Sequence, residues 1–318
     1  MKSTLNALAA LLLTSWLVSG CGTQHAATGP GTPRGSGGSA ADQALVSQQL
    51  AQNPDFVDDG NLSEAGDPMD WNLATASGVE SSAPVAAADS QRVRFWRRIT
   101  ESHRTFEFTF SDTDSTGRPT LATVTVNKAL TGTFNVQTVT RRDSTRVRSL
   151  VQKPLKDFWV RRLLLKRERE HGESDEPEWR IAAVSGVKVT SRDAATKIQS
   201  IQVTATGFDA TVTDPLAFLR MGRVLRFDPN DSVTVKVTTL RNDDVVVLQR
   251  HDGRLAFRNT GNNTYTAVFR VRFLRRIHHL GVNALSHGSL FDSQARYDSQ
   301  AWILPYVVRP TELADARP

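Results

Sequence analysis

Thr105-Phe106-Glu107-Phe108-Thr109-Phe110 puts three phenylalanines at every second position. That period of two is the mark of a strand with one apolar face. Residues 111–119 then read as a turn, carrying Asp112, Asp114, Gly117 and Pro119. The return strand alternates Ala122, Val124 and Val126 with Thr123 and Thr125, and Phe134 and Val136 continue it after Gly132. Further strands are expected over 147–152 and 158–168. A polar turn over 171–177 follows, and Trp179-Arg180-Ile181-Ala182-Ala183-Val184 closes the set. Consecutive hairpins of this kind make an antiparallel sheet. Just upstream, Phe95, Trp96 and Ile99 sit among Arg92, Arg94, Arg97 and Arg98, where the folded sequence begins.

Working outward toward the C-terminus, residues 191–197 are a polar boundary. Strands are then expected over 201–206, 210–213, 233–237, 245–248, 255–257, 265–273 and 282–285. Short strands with a turn signal every 8 to 12 residues are the pattern of a β-sandwich. Residues 297–308 read as one more strand, expected to pack back onto the sandwich or onto the seam between the two parts.

Toward the N-terminus, residues 42–52 read as a short helix with Asp42 as its cap and Asn53-Pro54 as its stop. Residues 55–89 are polar and acidic and read as extended or irregular, with a short helix near 70–76. Residues 22–41 are rich in Gly, Ser, Thr and Pro, the composition of a flexible tether. Lys2 followed by the apolar run 5–17 is a signal-peptide pattern. The run is short for a membrane-spanning helix, which needs about 20 residues.

Three resemblances follow from these segments. Val18-Ser19-Gly20-Cys21 resembles the lipobox of bacterial lipoproteins. The resemblance implies cleavage before Cys21, diacylation of its sulfur and acylation of the new N-terminus, which together hold a protein firmly to a bilayer. Gly22, in place of an Asp, implies the outer membrane, on its periplasmic side or at the cell surface. The strand Val160-Arg161-Arg162-Leu163-Leu164-Leu165-Lys166-Arg167, its turn and Trp179 to Val187 resemble the last hairpin of NTF2-like domains. That implies a curved sheet wrapped around helices. Asn262-Asn263-Thr264-Tyr265-Thr266-Ala267 and Gly281-Val282-Asn283-Ala284 resemble the last two strands of immunoglobulin-like domains, with Tyr265 at the place of a tyrosine corner. The expected fold is therefore mainly β: an N-terminal antiparallel-sheet α+β domain of NTF2-like type, then an immunoglobulin-like β-sandwich. A plain antiparallel sheet or half-barrel is the alternative for the first part. The expected organisation is a signal peptide at 1–20, a tether at 21–90, the α+β domain at 91–192, and the sandwich with its extra strand at 193–318.

The 318 residues are ample for real cores, and with a single cysteine no intrachain disulfide forms. The net charge is +6, but only eight of the 39 basic residues are lysines. A basic surface on an anchored envelope protein suits anionic lipid or glycan, or another envelope protein. Nucleic acid binding needs aromatics on the basic face. Arg270 and Arg272 instead alternate with Phe269, Val271 and Phe273.

Asp112-Thr113-Asp114-Ser115-Thr116 matches the DxDxT pattern of haloacid-dehalogenase-type phosphotransferases. That chemistry needs a buried parallel strand and a Rossmann-like remainder, and neither is written here; an acidic hairpin turn is the plainer reading. His278 and His279 are adjacent on a strand and point to opposite faces, so with His287 they do not make a metal set. The sequence contains no GxSxG, HExxH or GxxxxGK[ST] motif. The expectation is a non-catalytic binding or structural protein with no cofactor and no metal. The alternative is a small-molecule pocket, for binding or catalysis, lined by Phe106, Phe108, Phe110, Trp159 and Trp179. Arg161, Arg162, Arg270 and Arg272 are the candidates for contact with an anionic surface.

Overall fold

A computed structural model of the chain describes residues 38–72, 92–142, 145–168, 178–220, 224–272 and 277–309. The expected signal peptide, Cys21 with its lipobox, residues 22–37 and the turn at 171–177 lie outside the described residues.

The described residues begin with α1 (Ala40–Gln52), α2 (Pro54–Val57) and a short strand, β1 (Met69–Asn72). Ser39, rather than Asp42, caps α1. Its hydroxyl accepts from the Asp42 amide at 3.2 Å, while the Asp42 carboxylate accepts from the Ser39 amide at 3.2 Å. This reciprocal pair is a capping box. Pro54 ends the helix and opens α2. Val46 and Leu50, four residues apart, fall on one buried face.

Four long strands follow as an antiparallel meander: β2 (Arg92–Thr113), β3 (Pro119–Arg142), β4 (Thr145–Glu168) and β5 (Glu178–Ser191). The strands expected at 147–152 and 158–168 are one strand. Pro154 is tolerated between them because β4 meets β5 only from Asp157 onward, and proline is admitted where a strand is an edge. The sheet bends at register shifts: between Ile99 and Glu101 on β2, and twice near Leu163–Leu165 on β4. An extra residue at such a point sharpens local twist. Gly132 sits opposite the first shift, where a Cβ would lie 2.0 Å from the Arg98 carbonyl oxygen.

β5 next pairs with β16 (Ser299–Val308). The order then runs through β15 (Ile277–Leu285), β11 (Val245–Arg250) and β12 (Gly253–Ala256). Two short strands, β8 (Leu219–Arg220) and β9 (Leu225–Phe227), flank β5 and β16. The result is a single sheet curled into a nearly closed barrel. A second sheet has the order β13 (Arg258–Gly261), β14 (Thr264–Arg270), β10 (Ser232–Thr239), β6 (Ile198–Ala205) and β7 (Phe208–Val212). A last short helix, α3 (His287–Phe291), follows β15.

β15 and β16 belong to two cores at once. Leu280, Val282, Ala284, Trp302 and Leu304 pack against Val203, Val235 and Phe269 of the second sheet. Ala301 and Ile303 face the interior of the curl, in a cluster with Val46, Leu50 and Trp159. A third cluster joins Val93, Phe95 and Phe134 to Val245, Leu285 and Tyr297 across the barrel. Strands buried on both faces read as continuous apolar runs, as Ala301-Trp302-Ile303-Leu304 does.

Three differences from the sequence reading stand out. The stretch 21–90 was expected to be a tether, but within it 38–72 is packed, with Val46, Leu50, Val57, Leu62 and Trp71 all buried. The helix expected near 70–76 is in part β1, held by pairing with β2 from Met69↔Phe95 to Asn72↔Arg92. The expected boundary at 192/193 falls after β5, and the barrel sheet runs across it, because β5 and β16 pair at a distance in sequence no local pattern records.

Candidate functional site

The five aromatic residues singled out as a pocket lining come together on the inner face of the curl. Phe108, Phe110, Trp159 and Trp179 are buried in one cluster, and Phe106 packs at its margin. Phe110 and Trp179 meet edge to face at 5.9 Å, and Phe106 and Phe108 stack at 6.4 Å. The space they surround is filled from within the chain: Val46 and Leu50 of α1, Val57 of α2, and Leu62 share that cluster.

Residues 40–67 thus form a strap through the barrel interior, and strap and wall are complementary in charge. Residues 38–72 contain seven acidic residues (Asp42, Asp55, Asp58, Asp59, Glu64, Asp67 and Asp70) and no lysine or arginine. The wall answers with cations. Arg167 pairs with Asp42, and Arg104 with Asp58. Lys128 lies 3.0 Å from Glu64 and 3.6 Å from Asp58, with its ammonium 5.1 Å from the centre of the Trp159 ring. Backbone oxygens are gripped as well. Arg161 donates to the Asp58 carbonyl, Arg97 to that of Ser63, and Arg254 to those of Ala65 and Asp67.

At the middle of the strap, Asp59 is wholly buried. Its Oδ2 accepts from Trp159 Nε1 at 2.9 Å and from the Ser63 amide at 3.2 Å. Burial would raise the Asp59 carboxyl, but Lys128 and hydrogen bonds from Ser63 and Trp159 outweigh it and hold the group below its usual range. His279 of β15 faces the same spot, close to Gly60. Burial and the neighbouring Arg161 guanidinium push His279 down to about 3. Burial also lowers Arg161, to about 10, against the pull of Asp59 and Asp58. Asp59 Oδ1, Arg161 Nε and Nη2 and His279 Nε2 have no hydrogen-bond partner among the described residues.

A second buried network lies further along the barrel. Arg97 sits 3.6 Å from Asp157, and Tyr297 donates to Asp157 at 3.2 Å. Arg97 also reaches Ser299, whose hydroxyl donates to Asn283. Burial raises the Asp157 carboxyl in spite of Arg97, and raises the Tyr297 hydroxyl too.

The four arginines proposed for an anionic surface separate. Arg161 is a correction: it is fully buried, because it shares the inward parity of Trp159, Leu163 and Leu165 on β4. Arg162, Arg270 and Arg272 are exposed, Arg272 lying 3.6 Å from Asp252. Asp114 caps its own turn, its Oδ1 accepting from the Thr116 amide at 2.8 Å and the Arg118 amide at 3.0 Å. His278 packs on Tyr306, on the strand face opposite His279, and His287 packs on Phe291. Among the described residues, no group of three or more His, Cys, Asp or Glu converges as a metal site, and no helix is long and apolar enough to cross a membrane. On the second sheet, an open depression of about 890 Å³ is lined by β13, β14 and Asn242, and none of the aromatic five lines it.

The sequence reading missed Asp58, Asp59, Glu64, Lys128 and Asp157, named Arg97 only as part of a basic run, and weighed His279 only as a metal ligand. For the strand residues a signal was present: Lys128 continues the inward series Ala122, Val124, Val126, and Arg97 the series Val93, Phe95. A charge on an apolar parity position calls for a buried partner. No family model, curated protein or solved structure matches this chain.

Proposed function

We propose that this is a lipid-anchored cell-envelope protein with a non-catalytic binding or structural role, held through Cys21 at the outer membrane. One observation carries the non-catalytic part. The interior of the curl is occupied by the chain's own residues 40–67, so the aromatic five face packed side chains. The finer fold reading goes with it. The helices α1 and α2 in the concavity of β2–β5 support an NTF2-like first part. The hydroxyl of Tyr265, donating to the Arg241 carbonyl at 3.1 Å, supports an immunoglobulin-like second part. The exposed Arg162, Arg270 and Arg272 support contact with an anionic lipid or glycan surface.

The test is membrane fractionation of the Cys21→Ser variant, which should leave the membrane pellet. Retention in the detergent-soluble fraction would overturn the anchored reading. Turnover of a substrate by purified protein, lost on a single point substitution, would overturn the non-catalytic one.

A further inference from the structure

Among the described residues, six wall cations touch the strap: Arg97, Arg104, Lys128, Arg161, Arg167 and Arg254. Of these, Arg97, Lys128 and Arg161 are buried, and among the described residues the one buried wall carboxylate paired with any of them is Asp157, 3.6 Å from Arg97. Like charges gathered in a low-dielectric interior repel one another and are costly unless counter-charges share the space. The strap supplies those counter-charges through Asp42, Asp58, Asp59 and Glu64. It also supplies an apolar body, Val46, Leu50, Val57 and Leu62, against Phe108, Phe110, Trp159 and Trp179. Whatever occupies this groove must be negatively charged and apolar at once.

Two further observations concern the strap's hold. Between residues 40 and 67 it forms no strand pairing with the wall: strand pairing begins only at Met69. The ladders of the barrel are therefore complete without it. In addition, Arg161, fully buried under the strap, keeps Nε and Nη2 without a hydrogen-bond partner among the described residues. A guanidinium presents five donors in a fork suited to carboxylate or phosphate, and the strap offers Arg161 one backbone carbonyl.

Resting on the reading of a non-catalytic binding protein, we infer that the strap is a displaceable internal occupant of a ligand site. The site takes an anionic amphiphile, an acyl chain bearing a carboxylate or phosphate head. The head sits at Arg161, Lys128 and Arg104, and the chain lies on the aromatic face vacated by Val46, Leu50 and Val57. Such a ligand satisfies both requirements of the groove.

The experiment is hydrogen–deuterium exchange of the full chain. It is run alone, with oleate, with dioleoylphosphatidylglycerol vesicles, and with oleyl alcohol as the uncharged control. Exchange over 42–64 should rise at least tenfold with oleate or with the vesicles, while β3 and β4 stay protected. Response to oleate alone assigns a free fatty acid; response to vesicles alone assigns a bilayer lipid head. Arg161→Gln should weaken the response tenfold or more. Arg104→Gln, at a partly exposed position, repeats the test should the first variant not fold. Unchanged exchange with both anions would overturn the inference, as would an equal response to oleyl alcohol. Release by a peptide of residues 40–67 but by neither amphiphile would also overturn it, in favour of an acidic protein partner. These failures leave the Cys21→Ser fractionation and the turnover assay untouched, so they are separable from failure of the underlying reading.

Discussion

Trp159 Nε1 donates to Asp59 Oδ2 at 2.9 Å, so a tryptophan in the middle of a 24-residue strand holds a carboxylate one hundred residues earlier in the chain. Asp59 is also the counter-charge for Lys128. Asp59→Ala should lower the unfolding free energy by about 3–5 kcal/mol, the cost of leaving a buried charge without its partner. Asp59→Asn should cost less, because the amide oxygen still accepts from the indole. Urea denaturation of the two variants checks the order.

The pH dependence of stability should carry opposed contributions, from His279 on one side and from Asp244 and Asp157 on the other. His279 is pushed from its ordinary 6.5 down to about 3, with Arg161, Asp59 and His278 as its charged neighbours. The unfolded chain therefore binds a proton below 6.5 that the folded chain does not. Its contribution is present above 6.5 and is lost as pH falls toward 3, at about 1.4 kcal/mol per pH unit. Asp244, beside Arg241 and Asp243, is raised from 3.8 to about 6 by burial. There the folded chain binds the extra proton, so this contribution is lost as pH rises from 3.8 to 6. Between about pH 4 and 6 the His279 slope opposes that of Asp244, to whose side Asp157, also raised by burial, adds. Asp244→Asn should turn the slope toward a stability that rises with pH, and His279→Gln toward one that falls. Urea midpoints taken across that range read both slopes.

α1 should respond to substitution as a core element. Leu50 is 5% exposed and Leu45, on the same helix, 49%. Leu50→Ala should cost about 2–5 kcal/mol, and Leu45→Ala should stay within about 0.5 kcal/mol. Ser39→Ala should cost about 1 kcal/mol through loss of the cap. Thermal unfolding of the three variants tests whether residues 39–52 belong to the folded unit.

Gly132 is held to glycine by backbone rather than by turn geometry. Because its Cβ would lie 2.0 Å from the Arg98 oxygen, Gly132→Ala should force β2 and β3 apart. The expected cost is about 1–3 kcal/mol, the range for overpacking. Gly117, with a Cβ position clear of any atom within 4 Å, is the contrasting site: φ is +78° there, so an alanine meets strain but no clash. The melting temperature of Gly132→Ala should fall with no change in the strand signal of the circular dichroism spectrum.

Much of the sheet was legible from period alone. Phe106, Phe108 and Phe110 share a face, and Ala122, Val124 and Val126 oppose them, because side chains alternate along a strand wherever it pairs. The inward charges were legible in principle by the same parity, and Arg161 was misplaced by weighing its charge above its position. The strap was illegible. Acidic, with few apolar anchors, it has the composition of a segment that folds only against something. Its anchor is a basic wall assembled from strands β2, β3, β4 and β12, which no local pattern links to residues 40–67.

By itself, then, the sequence determined the β character of the chain, its hairpins and the faces of its strands, since these depend on neighbours two residues apart. Only the tertiary structure decided that β5 joins β16 and that the sheet curls back on itself. It also decided that the concavity is filled by the chain's own acidic strap. Those outcomes rest on charge compensation and pairing between residues from tens to more than a hundred positions apart, such as Lys128 with Glu64, Trp159 with Asp59 and Val189 with Ala301, whose contact exists only after the chain has closed.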